Sequence, residues 1–288
     1  MRISISNSKL MLNKIIDQIA TAERVSDTDL SDNYVFQRSR LAYHLAAKLV
    51  SGDVLEIGTG TGYGIKTLSK KVSSLTTVDK HPFERASELN GKAKFIQMTV
   101  PPLDGLPDES FDFVVSFQVI EHIKDDAKMV KEAHRVLKPG GQFILTTPNK
   151  LMSLTRNPWH VREYTITELK KLLLQEFDSV VANGIFGDDT VMNYYENNRQ
   201  SVQRLTRWDI FDLQHRLPRQ LLQVPYDILN RRNRRKLLQS NGGLVSDITM
   251  SSYTCKQAED NCFDLFYVAQ KQELMSKSKN GSFNGSAD

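Results

Sequence analysis

Cysteine is scarce in this chain of 288 residues, which contains Cys255 and Cys262 and no others. The two are not arranged in the CxxC pairs of zinc sites or thioredoxin-like motifs, which argues against a metal ribbon or a redox centre. No run of about 18 apolar residues occurs, so neither a signal peptide nor a membrane span is expected. These absences predict a reduced, cytoplasmic, globular protein.

A strong charge of either sign is also lacking. The chain has 38 Lys and Arg against 34 Asp and Glu, a formal net charge of +4. Polybasic nucleic-acid-binding proteins carry a much larger excess of positive charge. No nucleic-acid partner is therefore expected from the overall charge.

Apolar segments alternate with helical patterns from Val54 onward. The strand-like runs VLEI, LTTVD, KFIQ, FDFVVSF and QFILTT are apolar on both faces and are separated by helix-like segments. Such strands are typical of a parallel sheet that helices cover on both sides. We therefore predict an α/β fold with a doubly wound, mostly parallel sheet of the Rossmann-like type.

The chain is predicted to divide into five regions. Helical patterns precede the first strand, and after FDSVVANG the alternation gives way to an arginine-rich helical stretch before CFDLFYVAQK. The small, polar and unpatterned end of the chain is predicted to be disordered. The predicted regions are an N-terminal helical cap (1–52), a core with the cofactor site (53–190), a helical insertion or lid (191–250), a last strand (251–272) and a tail (273–288).

The stretch VLEIGTGTGYG, residues 54–64, predicts a buried strand that runs into a glycine-rich turn and opens a helix. Gly58, Gly60 and Gly62 would let a ligand approach the main chain, where the N–H groups at the helix start attract partial negative charge. The dinucleotide pattern GxGxxG needs its third glycine at position 63, which is Tyr63. Gly64 follows directly, so the spacing alone does not decide between the two ligands, and an NAD-dependent oxidoreductase stays an alternative.

Two carboxylates indicate which ligand the turn binds. Glu56, just before the first glycine, would repel a pyrophosphate in a partly dry site but would attract a cationic group. Asp79 closes the next strand, from which a carboxylate can accept hydrogen bonds from a ribose diol. S-adenosyl-L-methionine, a nucleoside with a cationic and phosphate-free appendage, matches both. A tight turn with a solvated glutamate and a helix-capping aspartate is the alternative.

Four segments, VLEIGTGTGYG, TTVDK, LPDESFDFVVSFQVIEHI and HRVLKPGGQFILTTPN, follow one another in this order. Over roughly Val54 to Asn149 they resemble the class I S-adenosylmethionine-dependent methyltransferases. The resemblance implies a seven-stranded sheet whose last strand is antiparallel, with FDSVVANG and CFDLFYVAQK as the final two strands. It also implies S-adenosyl-L-methionine as the cofactor and a cofactor site that contains Glu56, Gly58, Gly60, Gly62, Asp79, Met98, Thr99, Phe117 and Gln118.

The chain departs from the family pattern after the third strand. QMTVPPLDGLP lacks the usual acid beside the adenine, so this contact is assigned to the backbone and to Met98. Upstream, the helix that carries Tyr34 and Arg38 is expected to cap the methionine end, where the arginine could pair with its carboxylate. An ordinary helix start with a solvated arginine is the alternative.

The acceptor is expected at the carboxyl edge of the sheet, where ligands of open α/β folds bind. Methyl transfer to a hydroxyl is an in-line displacement that needs positioning and a proton acceptor but no covalent intermediate. The run SFQVIEHI and the loop NPWHVREYT both lie at this edge. From them we predict His122 and His160 as catalytic, and Glu121, Arg162 and Tyr164 as acceptor-binding. A structural histidine and a loop anchored by the packing of Trp159 are the alternatives.

A metal site is not predicted. In the ubiquinone-pathway O-methyltransferases, which the chain resembles, a related run carries a further glutamate at the position of Gln118, and the acids bind a divalent ion. Glutamine at this position weakens that interpretation.

The run RLPRQLLQVPYDILNRRNRRKLL combines leucines with a cluster of basic residues near its end: Arg231, Arg232, Arg234, Arg235 and Lys236. It is interpreted as an acceptor lid or a dimer helix; a solvated helical face and a patch for anionic lipid or RNA are the alternatives. Aromatic residues do not alternate with the basic run, as base stacking would require. A homodimer and a peripheral membrane contact both stay open.

The sequence thus predicts a methyltransferase that uses S-adenosyl-L-methionine to methylate a small organic acceptor at oxygen. An NAD-dependent oxidoreductase is disfavoured by Glu56 and by the absence of a separate substrate domain. A non-catalytic cofactor-binding or membrane-surface module that uses the arginine-rich segment is the third interpretation.

Overall fold

The computed structural model describes residues 25, 29–83, 89, 91–207, 213–240 and 242–273. Within these residues, eight strands form one mixed sheet. The strands are β1 Asp53–Ile57, β2 Ser74–Asp79, β3 Ala93–Gln97, β4 Phe111–Phe117, β5 Leu137–Pro148, β6 Ser179–Gly187, β7 Tyr253–Gln257 and β8 Asp264–Gln270. Their order across the sheet is β3-β2-β1-β4-β5-β8-β6-β7.

The first five strands are parallel. β1 lies between β2 and β4, β3 pairs with β2, and β5 pairs with β4. β8 runs antiparallel between β5 and β6. The predicted α/β class, with its final antiparallel strand, is confirmed. The strand order reverses at β1 and β4, and this switch point is where open sheets of this kind bind ligands.

The predicted number of seven strands is wrong, because β7 adds an eighth strand that pairs antiparallel with β6 at the edge of the sheet. Its sequence, YTCKQ, buries Tyr253 and leaves the other four residues partly or fully exposed. An edge strand of this composition lacks the continuous apolar run by which the central strands were recognised.

Eight helices cover the sheet or extend from it within the described residues. They are α1 Asn33–Leu49, α2 Ile65–Leu68, α3 Asp126–Val136, α4 Ile166–Leu173, α5 Asp189–Thr206, α6 Leu213–Arg216, α7 Arg219–Ser240 and α8 Gly242–Asp247. Two predictions lie outside the described residues: the first part of the N-terminal helical cap, before residue 25, and the tail beyond Glu273. None of the helices that the structure describes has the length and apolar character needed to span a bilayer.

Local signals explain where the helices at the site begin. The side chain of Asp125 accepts the N–H of Lys128 at 3.1 Å and caps α3. Thr165 and Glu168 form a reciprocal capping box at the start of α4. Both helices bury apolar residues at helical spacing.

The core has two layers, one on each face of the sheet. Leu55 and Ile57 of β1 pack with α3 and α4, whereas Val54 packs with α1 and α2 on the opposite face. Alternate residues of one strand therefore anchor both layers. This packing leaves the carboxyl ends of β1, β2, β4 and β5 as the free edge where the predicted site residues lie.

Candidate active site

The glycine-rich turn follows β1 at this edge. Gly58 and Gly60 have φ values of 94° and 55°, in the left-handed region that side chains disfavour. A Cβ at Gly58 would lie 2.4 Å from Val119 Cγ2, whereas one at Gly60 would meet no atom within 4 Å. Gly58 is thus needed for close packing, and Gly60 borders open space in which a ligand could contact bare backbone.

The carboxylate of Asp79 is fixed beside this turn. Its Oδ2 accepts the N–H of Gly60 and its Oδ1 accepts the N–H of His81, each at 2.9 Å. The main-chain oxygen of Asp79 accepts the N–H of Met98 at 2.9 Å, which joins the ends of β2 and β3. Thr99 follows at the same edge. A carboxylate oxygen can accept a second hydrogen bond, so Asp79 can also receive ligand hydroxyls.

Glu56 is buried beneath the turn, with 1% of its surface exposed. Its Oε1 accepts a hydrogen bond from the hydroxyl of Tyr43 at 2.7 Å and its Oε2 accepts one from Thr77 at 2.6 Å. Burial raises the pKa of Glu56 to about 7; the nearby charge of Asp79 acts in the same direction, and the two hydrogen bonds oppose it. The alternative of a solvated edge glutamate is excluded, and a cationic ligand would favour the ionised form.

The end of β4 forms the next part of the edge. Phe117 is buried and its ring meets Tyr43 edge-on, with centroids 4.7 Å apart. Gln118 adopts a φ of 57°, uncommon for a residue other than glycine. Its N–H donates to the main-chain oxygen of Thr146 at 2.9 Å, which holds this turn against β5.

Glu121, His122 and His160 converge just beyond β4. One potential ligand atom from each lies within 4.8 Å of those of the other two. Glu121 is buried and accepts a hydrogen bond from Thr147 at 3.0 Å, and burial raises its pKa to about 7. Carboxylate oxygen and imidazole nitrogen are ligands that a divalent ion can use. The absence of a bound metal stays a prediction.

His160 is held in one orientation by two neighbours. Its Nδ1 lies 2.7 Å from Glu163 Oε1, and its Nε2 lies 2.9 Å from Asn157 Nδ2. The amide oxygen of Asn157 accepts the N–H of Trp159 at 3.0 Å, so the NH₂ group faces the histidine and must donate to it. The proton of neutral His160 therefore sits on Nδ1 and is donated to Glu163. The hydroxyl of Ser153 binds the second oxygen of Glu163.

The side chains of Arg162 and Tyr164 are directed to Asp126 and not to His160. Arg162 Nη1 and the hydroxyl of Tyr164 each donate to Asp126 Oδ2 at 2.7 Å. The main-chain N–H of Arg162 donates to the oxygen of Glu121, which sets the direction of the loop. Neither side chain lines the cavity that borders His160, so an acceptor bound there would not contact them.

A cavity of about 570 Å³ borders His160 and Glu163. The end of β5 and the following loop form its floor, and α1, α5 and α7 form its walls and roof. Apolar atoms make up most of its surface, although Arg156 and Arg234 also line it away from His160. The aromatic and aliphatic side chains that line it include Tyr34, Tyr194, Tyr195, Leu222, Tyr226, Leu229 and Phe263.

Arg38 forms a charged point on the cavity wall. Its Nε lies 2.7 Å from Asp264 Oδ2, and its guanidinium lies over the rings of Tyr34 and Phe263, 5.5 and 5.7 Å from their centroids. Only 12% of its side chain is exposed. The alternative of a solvated arginine is excluded, because Arg38 is part of a buried ion pair at the edge of the cavity.

Long-range bonds hold the roof helix α7 in place. Trp159 Nε1 donates to Asp227 at 3.0 Å, which ties α7 to the histidine loop. Arg234 Nη1 pairs with the buried Asp32 at 2.7 Å, next to the start of α1. Asn233 donates to a side chain of α5 at 2.7 Å. The roof is thus attached on three sides.

Residues 55–145 match the family described as a methyltransferase domain. Over these residues, which carry β1 to β5, the chain is similar to the domain that S-adenosylmethionine-dependent methyltransferases share. A protein of Mycolicibacterium smegmatis described as "Probable S-adenosylmethionine-dependent methyltransferase" is 36% identical over 53% of this chain and 62% of its own length. A ubiquinone biosynthesis O-methyltransferase of Pseudomonas syringae is 28% identical over 36% of this chain and 47% of its own. The chain thus spans less than two thirds of the length of these relatives.

The fold has solved counterparts. The crystal structure of the [4+2]-cyclase SpnF covers 82% of this chain and 82% of its own, with a TM-score of 0.50 and 16% identity. At this identity the likeness concerns the fold alone. The counterpart is named for a cyclisation, so the fold by itself does not establish the reaction.

S-adenosyl-L-methionine is the cofactor that the methyltransferase domain implies, and the residues present fit it. Gly60 leaves open space beside bare backbone, Asp79 can accept from a ribose diol, and Glu56 supplies buried negative charge for a cationic group. A pyrophosphate at the glycine-rich turn would face the carboxylate of Glu56, whereas Asp79 suits the ribose of either ligand. The geometry therefore suits the sulfonium nucleoside better than a dinucleotide.

Several groups at the site were not predicted. Glu163 and Asn157 orient His160, and the spacing HxxE could have indicated the first of them. Asp264 and the tyrosines of α5 and α7 carry no local motif, because their position depends on segments that are distant in the chain.

Proposed function

We propose that the protein transfers a methyl group from S-adenosyl-L-methionine to a hydroxyl of a small organic acceptor that binds in the 570 Å³ cavity. The observation that carries this proposal is the His160–Glu163 pair, whose polar corner borders an otherwise mostly apolar cavity at the edge of the methyltransferase domain. The size and lining of this cavity suit a small molecule with an apolar body.

His160 receives the proton of the acceptor hydroxyl. Its Nε2 bears the lone pair, which the amide of Asn157 occupies in the absence of a ligand. An acceptor hydroxyl that replaces this amide would donate to the same nitrogen. Glu163, bonded to Nδ1, then stabilises the imidazolium that forms.

The remaining chemistry is positional. S-adenosyl-L-methionine, when bound, supplies a methyl group activated by the sulfonium. The bound cofactor would supply the methyl group, with its thioether as the leaving group, and His160 would hold the proton that the acceptor hydroxyl gives up. The aromatic walls of the cavity exclude water and hold the oxygen in line.

Oxygen is favoured as the acceptor atom for two reasons. A histidine oriented by a carboxylate is suited to a hydroxyl, which must lose a proton as the bond forms. The Pseudomonas relative is named for O-methylation in ubiquinone biosynthesis. A neutral amine would attack without help, and His160 would then be dispensable to the chemical step.

The proposal is tested by incubating the protein with cofactor labelled in the methyl group and with fractionated cell extract. We expect label in the small-molecule fraction, in a product that resists the mild acid and base treatments that release methyl esters. The proposal is contradicted if the label appears in the protein or RNA fraction, or if no fraction is labelled. Stronger binding of NADH than of S-adenosylhomocysteine in a calorimetric titration would favour the oxidoreductase alternative.

A further inference from the structure

The outward face of the roof helix α7 is apolar in its first half. Leu221, Val224 and Ile228 expose 64%, 39% and 57% of their surfaces. Their spacing of three and four residues puts them on one side of the helix. The residues that line the cavity, such as Leu222 and Tyr226, belong to a different side. The three aliphatic side chains therefore have no role in the cavity.

The same face becomes basic in the second half of α7. Arg232 and Arg235 continue the row of Ile228 at helical spacing, with Lys236 beside them, and all three are exposed. Arg231 and Arg234 differ, because they pair with the acids Asp29 and Asp32 at the start of α1. The basic run thus contains an inward pair that holds the roof and an outward set of three.

No carboxylate of α7 opposes these three charges. The one acidic residue of the helix, Asp227, is buried and accepts a hydrogen bond from Trp159. The outward face of α7, defined here as Leu221, Val224, Ile228, Arg232, Arg235 and Lys236, is therefore aliphatic at one end and cationic at the other, where Asp29 offsets part of the charge of Arg235. Its partner must offer both apolar contact and negative charge.

We propose that this outward face docks the protein on the surface of a membrane that contains anionic phospholipids. Acyl chains accept the aliphatic side chains and the headgroup phosphates accept the arginines and the lysine. RNA would satisfy the charges only, because the face has no aromatic side chain on which a base could stack. Docking brings the helix that roofs the cavity to the lipid surface. The inference does not depend on methyl transfer.

Sedimentation of the full chain with phospholipid vesicles tests the proposal. Vesicles of phosphatidylcholine mixed with phosphatidylglycerol should bind the protein, and vesicles of phosphatidylcholine alone should bind it much less. Replacing Arg232, Arg235 and Lys236 together by Gln should weaken binding on the order of 100-fold, since each cation near an anionic surface contributes roughly fivefold. Replacing Leu221, Val224 and Ile228 together by Ser should weaken it at least tenfold by removing the apolar contact.

A matched control removes the same charge elsewhere. Lys66, Lys70 and Lys71, on and just after α2, are exposed, and their joint replacement by Gln should leave most of the binding intact. Near-ultraviolet circular dichroism checks that each variant is folded. The proposal is overturned if the unsubstituted chain does not bind anionic vesicles, or if either α7 variant binds them as tightly as the unsubstituted chain. It is also overturned if the α2 variant loses as much vesicle affinity as the α7 charge variant. Tighter binding to single-stranded RNA that the Ser substitutions do not affect overturns it as well.

Discussion

The two halves of the site hold their polar groups by different means. In the cofactor half, the side chains of Glu56 and Asp79 bond to residues 2 to 21 positions away, on α1, on β2, just after β2 and in the glycine-rich turn. In the acceptor half, His160 is held by Asn157 and Glu163, three positions away, but the roof above it depends on bonds from Trp159 to Asp227 and from Arg234 to Asp32, which join residues 68 and 202 positions apart. The first half is part of the sheet, whereas the second is assembled from separate segments. A single substitution should therefore weaken ligand binding in the first half and alter assembly or chemistry in the second.

The largest effect is expected at the proton acceptor. His160→Gln should lower kcat by about 100-fold to 10,000-fold, because a positioned general base contributes that much. The affinity for S-adenosylhomocysteine should not change. Steady-state rates and calorimetry measure the two quantities. The control is His44→Gln, which replaces a histidine on α1 and should keep the rate of the unsubstituted protein. If the His160 variant keeps the rate of the unsubstituted protein, His160 is not the proton acceptor.

The next effect concerns the attachment of the roof. Arg234→Gln leaves Asp32 buried without its closest charged partner and should lower the free energy of unfolding by about 3 kcal/mol. The neighbouring Arg235→Gln removes the same charge from an exposed position and should change it by about 0.5 kcal/mol or less. Chemical denaturation of both variants makes the comparison. If both variants lose the same free energy of unfolding, the roof is not held by the Arg234–Asp32 pair.

A smaller effect is expected in the cofactor half. Asp79→Ala removes the predicted hydrogen bonds to the ribose and the observed bond to Gly60, so the affinity for S-adenosylhomocysteine should fall by about 2 kcal/mol. Asp104→Ala, at an exposed site after β3, is the control. Calorimetric titration measures the affinity of both variants for S-adenosylhomocysteine. The free energy of unfolding should change little in either variant. Unchanged affinity in the Asp79 variant would contradict the ribose contact.

The pH dependence of cofactor binding tests Glu56. In the free protein the pKa of Glu56 is raised to about 7, so the carboxyl is largely protonated below that pH. A cationic ligand favours the ionised form, so affinity should rise with pH, on the order of tenfold between about pH 6 and about pH 8. Cofactor binding below about pH 7 should therefore release the proton that Glu56 carries in the free protein. Glu56→Gln should flatten this dependence; a slope that persists in the variant would assign it to another group, such as Glu121.

The smallest effect is expected from chelation. Since no metal is predicted, treatment with EDTA should leave cofactor affinity and methyl transfer unchanged. Loss of transfer that added divalent ions restore would instead make Glu121, His122 and His160 metal ligands.

The cofactor half was largely predictable from the sequence because its determinants are local. The strand before Gly58 and the acid at the end of β2 are read directly from adjacent residues. The acceptor half was less predictable. The hydroxyl of Tyr164 was expected at the acceptor, yet it bonds to Asp126, because main-chain bonds to Glu121 direct the loop.

Other features escaped prediction for similar reasons. β7 is an edge strand with one buried residue, so its sequence carries little apolar signal. Arg231 and Arg232 are neighbours in one basic run, but only the helix orientation shows that the first faces Asp32 and the second faces outward. Residue type gave the chemistry of these groups, whereas tertiary packing decided their partners.

A crystal structure with S-adenosylhomocysteine tests the central claim most directly. The account predicts both ribose hydroxyls within hydrogen-bond distance of Asp79, the main chain of Gly60 in contact with the ligand, and the sulfur directed toward the cavity beside His160. A ligand bound elsewhere, or one whose ribose does not contact Asp79, would contradict it.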